Sequence, residues 1–148
     1  MDLSPVSAAV DPAGYEAFVI GSALYSSRWM KPAAEFVQHH QALLATRPAW
    51  LFSVGPLGRK IPLPAKLPPA LAGLSESIGA GDHHVFRGAL DVSKLRGAEH
   101  LIRPFLPQGD FRDWQDIEAW ATSIAGELGQ APAARSCRSS RQDEGSSR

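Results

Sequence analysis

The chain has 148 residues, with 15 Lys and Arg against 15 Asp and Glu, 44% apolar residues and one cysteine, Cys137. That length holds one domain with a real core and a tail, the zero formal charge points away from nucleic acid and from an anionic membrane, and a lone cysteine excludes an internal disulfide. The apolar runs are far shorter than the ~20 residues that span a bilayer, and the opening MDLSPVSAAVDP lacks the basic-then-apolar pattern of a secretory leader, so a cytoplasmic protein is expected.

Residues 1–14 carry scattered apolar positions (Leu3, Val6, Val10) and end in the turn chemistry of Asp11-Pro12-Ala13-Gly14. Ala17 to Ile20 is a short continuous apolar run, the pattern of a parallel strand buried on both faces. Gly21 ends it, and residues 22–27 read as a small hydroxyl-rich loop ahead of a helix. Lys31-Pro32 opens that helix, since proline is tolerated in a first turn. Ala33, Phe36, Val37, His40, Leu43 and Leu44 recur at helical spacing until Thr46-Arg47-Pro48 stops it.

Ala49 to Val54 is a second buried strand, followed at once by Gly55-Pro56-Leu57-Gly58. A proline-rich loop leads to a short helix over Pro69 to Ile78, closed by Gly79-Ala80-Gly81. A third strand is expected from His83 to Leu90, with Gly88 as its weak point. Residues 91–109 suggest a short amphipathic helix broken at Pro104. The final helix is capped by Asp113. Its stripe is Trp114, Ile117, Trp120, Ala121, Ile124 and Leu128, with both tryptophans expected in the core. From Gly129 the composition is that of a disordered tail, giving a domain over 1–128 and a tail over 129–148. Alternating strands and helices make a doubly wound α/β arrangement, an open parallel sheet with helices on both faces.

Ligands of such sheets sit beyond the carboxyl ends of the strands, which directs attention to the segment after Ile20. Metal and hydrolase chemistry find no support. His83 and His84 are strand neighbours and point to opposite faces, and His39 and His40 diverge by about 100° on a helix. No zinc-type spacing and no G-x-S-x-G elbow occurs. His40, on an apolar face, reads as a satisfied core residue.

The stretch YEAFVIGSALYSSRWMKPAAEFV resembles the middle of a flavodoxin domain, and most of all the branch that includes menaquinone-dependent protoporphyrinogen oxidase. The residues that carry the likeness are Tyr15, Glu16, Gly21, Ser22, Ala23, Tyr25, Trp29, Phe36, Val37 and His40. WLFSVGPLG, VFRGALD and FRDWQDIEAWATSIAGEL resemble later elements of the same branch, in the same order. The resemblance implies flavin mononucleotide (FMN) held by loops at the strand ends. Its ring would lie between Ser22, Ala23, Leu24, Tyr25, Ser26 and Trp29 on one side and Ser53, Val54, Gly55, Pro56 and Gly58 on the other.

Each of these residues has a plainer role open to it. Tyr25 and Trp29 either stack on the ring or pack at a strand–helix junction. Ser22, Ser26 and Ser53 either donate to the ligand or cap a helix, and the loop from Gly55 to Gly58 either approaches a ligand or only turns the chain. By the same resemblance the partners are a redox protein or a small molecule such as a porphyrinogen or a quinone, with residues 97–107 touching substrate or membrane, or simply covering one end of the sheet.

The chain departs from the family pattern at its start. Met1 to Val6 resembles the family's second strand, so the usual first strand, its phosphate loop and its helix are missing. A phosphate needs a ring of amides at a helix N-terminus. The expectations are therefore a misassigned start or an incomplete chain of an FMN redox protein. The alternative is a flavin-free remnant that binds another protein through the open edge of its sheet.

Overall fold

The computed structural model describes residues 2–6, 11–25, 27–55, 63, 66–90 and 109–130. Its centre is a four-stranded sheet in the order β2-β1-β3-β4. Strand β1 is Phe18–Tyr25, β2 is Arg28–Trp29, β3 is Ala49–Val54 and β4 is His83–Phe86. Strands β1, β3 and β4 are parallel, with Phe18 opposite Ala49 through Ala23 opposite Val54, and Leu51 opposite His83. A separate pair joins β5 (Ala89–Leu90) and β6 (Gly109–Asp110) antiparallel. The helices are α1 (Lys31–His39), α2 (Gln41–Leu44), α3 (Pro69–Ile78) and α4 (Trp114–Gln130).

Period-two alternation sorts the side chains of β3. Ala49, Leu51 and Ser53 point to one face, where they meet Ile20, Trp29, Ala33, Val37, Leu44, Leu71 and Ile78 from β1, β2 and the first three helices. Trp50 and Phe52 point to the other face and meet α4. Trp50 Nε1 donates to Glu127 at 3.2 Å, and the Phe52 ring stands edge-on to Trp120 at 5.9 Å. Helices thus cover both faces of a mostly parallel open sheet, as the sequence pattern predicts.

Several local expectations are corrected. Residues 22–25 are not a loop, because β1 runs through Tyr25 and then folds back into β2, with Leu24 opposite Trp29 and Tyr25 opposite Arg28. Ser27 makes that tight reversal possible by adopting φ 62°. The predicted helix from Lys31 breaks at His40, whose backbone (φ −101°, ψ 16°) separates α1 from α2. That break also brings the His39 and His40 rings to 4.9 Å, edge to face, so they do not diverge. His40 is half-buried against Phe36. The third strand stops at Phe86, and β5 leaves to pair with β6 after Arg87-Gly88. Residues 2–6 form no strand, and Leu3 is 98% exposed.

Helix α3 begins and ends where its sequence signals stand, with Pro69 in its first turn and Gly79 left-handed at its end. Helix α4 begins as predicted, but Trp114 is 56% exposed rather than in the core. It lies on the first turn, under the Arg112 guanidinium at 4.7 Å. Leu128 is likewise exposed, and Ile124 is the buried member of the stripe. The helix runs to Gln130, and the remaining tail residues lie outside the described set, as do most of residues 91–109. Asp113 Oδ1 accepts from the amides of Gln115 and Asp116 at 3.1 and 3.2 Å. Asp113→Ala is therefore expected to cost about 1 kcal/mol in urea unfolding, the usual value of a helix cap.

Candidate functional site

The two segments predicted to flank a ligand do come together. In-register pairing of β1 with β3 sets Ala23 beside Val54, so the two carboxyl ends lie side by side. Gly55 follows with φ 133° and is buried, and a Cβ there would stand 3.4 Å from Leu24 Cβ. Its amide donates to Phe86 O at 2.8 Å, which ties the end of β3 to β4. Ser26, Pro56 and Gly58 lie outside the described residues, and Tyr25 is described by its backbone alone.

The side chains nominated for ligand contact are engaged within the protein. Ser22 Oγ accepts from Met30 N at 3.1 Å and donates to Ala23 O at 3.1 Å. Trp29 is 5% exposed, and its Nε1 donates to Ser53 Oγ at 2.8 Å. Ser53 is fully buried, and its hydroxyl also stands 2.9 Å from His83 Nε2. His83 therefore belongs to this region although sequence reading dismissed it. The available signal was period two: in AWLFSV the lone hydroxyl falls on the same inward face as Leu51. Burial pushes the His83 pKa down, against the opposing pull of the Asp82 carboxylate.

Across the sheet His84 takes the opposite face, as strand geometry requires. Its Nε2 meets Asp116 Oδ2 at 3.0 Å, and Asp82 Oδ2 accepts from Trp120 Nε1 at 2.6 Å. These contacts fasten α4 to β4. At the far edge, the Arg112 guanidinium bonded to Asp110 holds that exposed carboxyl at about 2, well below the ordinary range.

The second feature is a groove of about 540 Å³ along the outer edge of β1. It is lined by seven consecutive residues, 17–23, and by residues 2–6, Pro32, Phe36 and Phe52 among others. Side chains of a strand alternate between faces, so a groove touching all seven follows the strand edge rather than either face. Among the described residues no strand pairs with residues 18–23 on that side, and Val19 is 51% exposed.

A flavodoxin domain model matches residues 1–105. The chain belongs to the flavodoxin domain family. No curated protein and no solved structure gives a match to the chain. Flavodoxin domains generally hold FMN and exchange electrons with redox partners, so the described residues can be tested against that cofactor. The ends of β1 and β3 stand side by side, and the hydroxyls of Ser22 and Ser53 beside them are already engaged within the protein.

The phosphate is not accommodated by the starts of α1, α3 or α4. In α1, Pro32 has no N–H, and the amides of Ala33 and Ala34 are given to Met30 O. In α3, Leu71 and Ala72 donate to Pro68 O. In α4, Asp113 takes the first amides through its side chain and the Ile117 amide through its carbonyl. A dianion needs several free amides converging on it, and these helices do not offer them. No helix among the described residues is long and apolar enough to cross a membrane.

Proposed function

We propose that this flavodoxin-family chain acts as an FMN-dependent redox protein, either an electron carrier or an oxidase of the protoporphyrinogen type. The ring would lie against the backbone of residues 23–25 and 54–55. The observation that supports this reading is the adjacent, parallel ends of β1 and β3, the place where open α/β sheets hold their ligands. FMN, when bound, supplies the electron chemistry, and the chain supplies orientation. Ser22 fixes the end of β1 to Met30, while Ser53 and Trp29 support the site from beneath. A porphyrinogen or a quinone is the proposed substrate class.

Titrating the full chain with riboflavin and with FMN, followed by flavin fluorescence, tests the reading. Because the starts of α1, α3 and α4 do not receive the phosphate, FMN is expected to bind no more than about a hundredfold tighter than riboflavin, the upper worth of one charge-assisted hydrogen bond. Failure of both to bind would remove the redox reading. A second reading, a flavin-free interaction module, is favoured by the unpaired edge of β1 and its groove. It expects a colourless protein that gains a partner strand at residues 18–23.

A further inference from the structure

Ser53 is the buried polar side chain of the described core, and hydrogen accounting decides how it is satisfied. The Trp29 indole can only donate, so it occupies a lone pair of Ser53 Oγ. The hydroxyl hydrogen must then go elsewhere, and His83 Nε2 stands at 2.9 Å. If Nε2 is bare it accepts that hydrogen, and the ring proton sits on Nδ1, a buried atom with no partner among the described residues. If Nε2 carries the proton instead, both the Ser53 hydrogen and the Nδ1 lone pair are left without a partner among the described residues. The first arrangement strands one group and the second strands two, so the first is favoured.

We propose that neutral His83, in the Nδ1–H form, is a positioning residue that seats Trp29 through Ser53, and that protonation of Nε2 unseats it. A proton on Nε2 turns that atom from acceptor to donor. Ser53 Oγ can still accept from both Trp29 and His83, but its own hydrogen is displaced from its acceptor. That hydrogen is left in the core beside a half-buried cation, a cost relieved by opening the Trp29–Ser53–His83 cluster. Trp29 is the residue of β2 paired with Leu24, and Met30 after it caps α1, so its seating sets both the β1–β2 hairpin and the start of α1. The strand end at residues 22–25 is thereby coupled to a proton on β4. The coupling does not depend on flavin.

The surroundings of His83 favour its neutral form. From β3 it faces Ser53, and from β2 the Trp29 ring at 5.7 Å, both uncharged. Its neighbour Asp82 favours the cation, but burial outweighs it. Asp82 is itself engaged with Trp120 and lies 4.0 Å from His84 Nδ1. Asp116 and Glu127 of α4 act across the sheet on His84 and Trp50. Arg28 on β2 and Glu76 on α3 are exposed. With the pKa lowered on folding, the unfolded chain binds the proton first as pH falls through 6.5, so the seated state is stable above that value and is weakened below it.

The test is nitrogen NMR of the full chain with labelled histidine, read together with hydrogen exchange of the Trp29 indole. Well above pH 6.5 the expected result is a bare Nε2, a protonated Nδ1 and a protected indole. As His83 charges, protection of the indole, measured against a free indole at the same pH, should fall by about tenfold or more, the loss of one buried hydrogen bond. His83→Gln, whose amide oxygen can accept from Ser53, should keep the protection and lose its pH dependence. An Nε2-protonated ring at high pH overturns the proposal. So does titration of His83 with indole protection unchanged, or pH-dependent protection that persists in His83→Gln. The wild-type measurement decides the matter even if the variant does not fold.

Discussion

Leu51→Ala is expected to lower the unfolding free energy by about 2–5 kcal/mol, the range for emptying a fully packed leucine site. Leu51 has no exposed surface and stands at the middle of β3, opposite Ile20 on β1 and His83 on β4. Strands on both sides fix the backbone, so the neighbours cannot close over the lost volume, which places the cost in the upper part of that range. Urea denaturation should show a lower midpoint with an unchanged slope. Leu3→Ala is the control: at 98% exposure it should change stability by less than about 0.5 kcal/mol. A loss below about 1 kcal/mol at Leu51 would mean that β3 is not the centre of the core.

Gly21→Val is expected to cost about 2 kcal/mol, although valine is the better strand former. Gly21 lies opposite Phe52 in the β1–β3 register, and the Phe52 ring fills the space a side chain would need. A Cβ at position 21 would stand 2.1 to 2.3 Å from three ring atoms. Phe86 and Trp120 stand about two sides of the ring at 6.0 and 5.9 Å, so its retreat is limited to the side that lines the groove. Overpacking of this kind costs roughly 1–3 kcal/mol, while the gain in strand propensity is at most about 1 kcal/mol, so the clash wins. Phe52→Leu in the same chain should recover part of the loss, and a double-mutant cycle would read the coupling. Additive losses would remove the ring from the account.

The elements legible in the sequence were those whose boundaries are local. Ala49–Val54 is an apolar run between Pro48 and Gly55, and Pro69–Ile78 opens on proline and closes on a left-handed glycine. Both form where the signals stand. The end of β1 was not legible, because Ser22 and Tyr25 look like loop residues. What keeps them in a strand is non-local: pairing of Ser22 with Ser53, and of Tyr25 with Arg28 across a reversal at Ser27.

The candidate site followed the same division. Its place at the strand ends was readable from the alternation of elements, and the family from the order of short patterns. The use of Ser53 and Trp29 was not, since their partner His83 arrives from 30 residues away. Trp114 shows the opposite failure. Helical spacing put it on the apolar stripe, but in the first turn of α4 it is Asp116 that meets the sheet, through His84, and Trp114 is left exposed under Arg112.

The ties that bind α4 to the sheet differ in kind from those that bind α1 and α3. On one face, interlocked aliphatic side chains resist opening together. On the other, α4 is held by polar tethers from Glu127, Asp116 and Trp120, by the Trp120 ring against Phe52 and Phe86, and by Ile124 as its one buried residue. Such a helix detaches as a unit before the rest yields. The amides of α4 should therefore lose deuterium protection earliest among the long helices, and a protease acting on the native protein should find its first cut there while the three parallel strands remain intact.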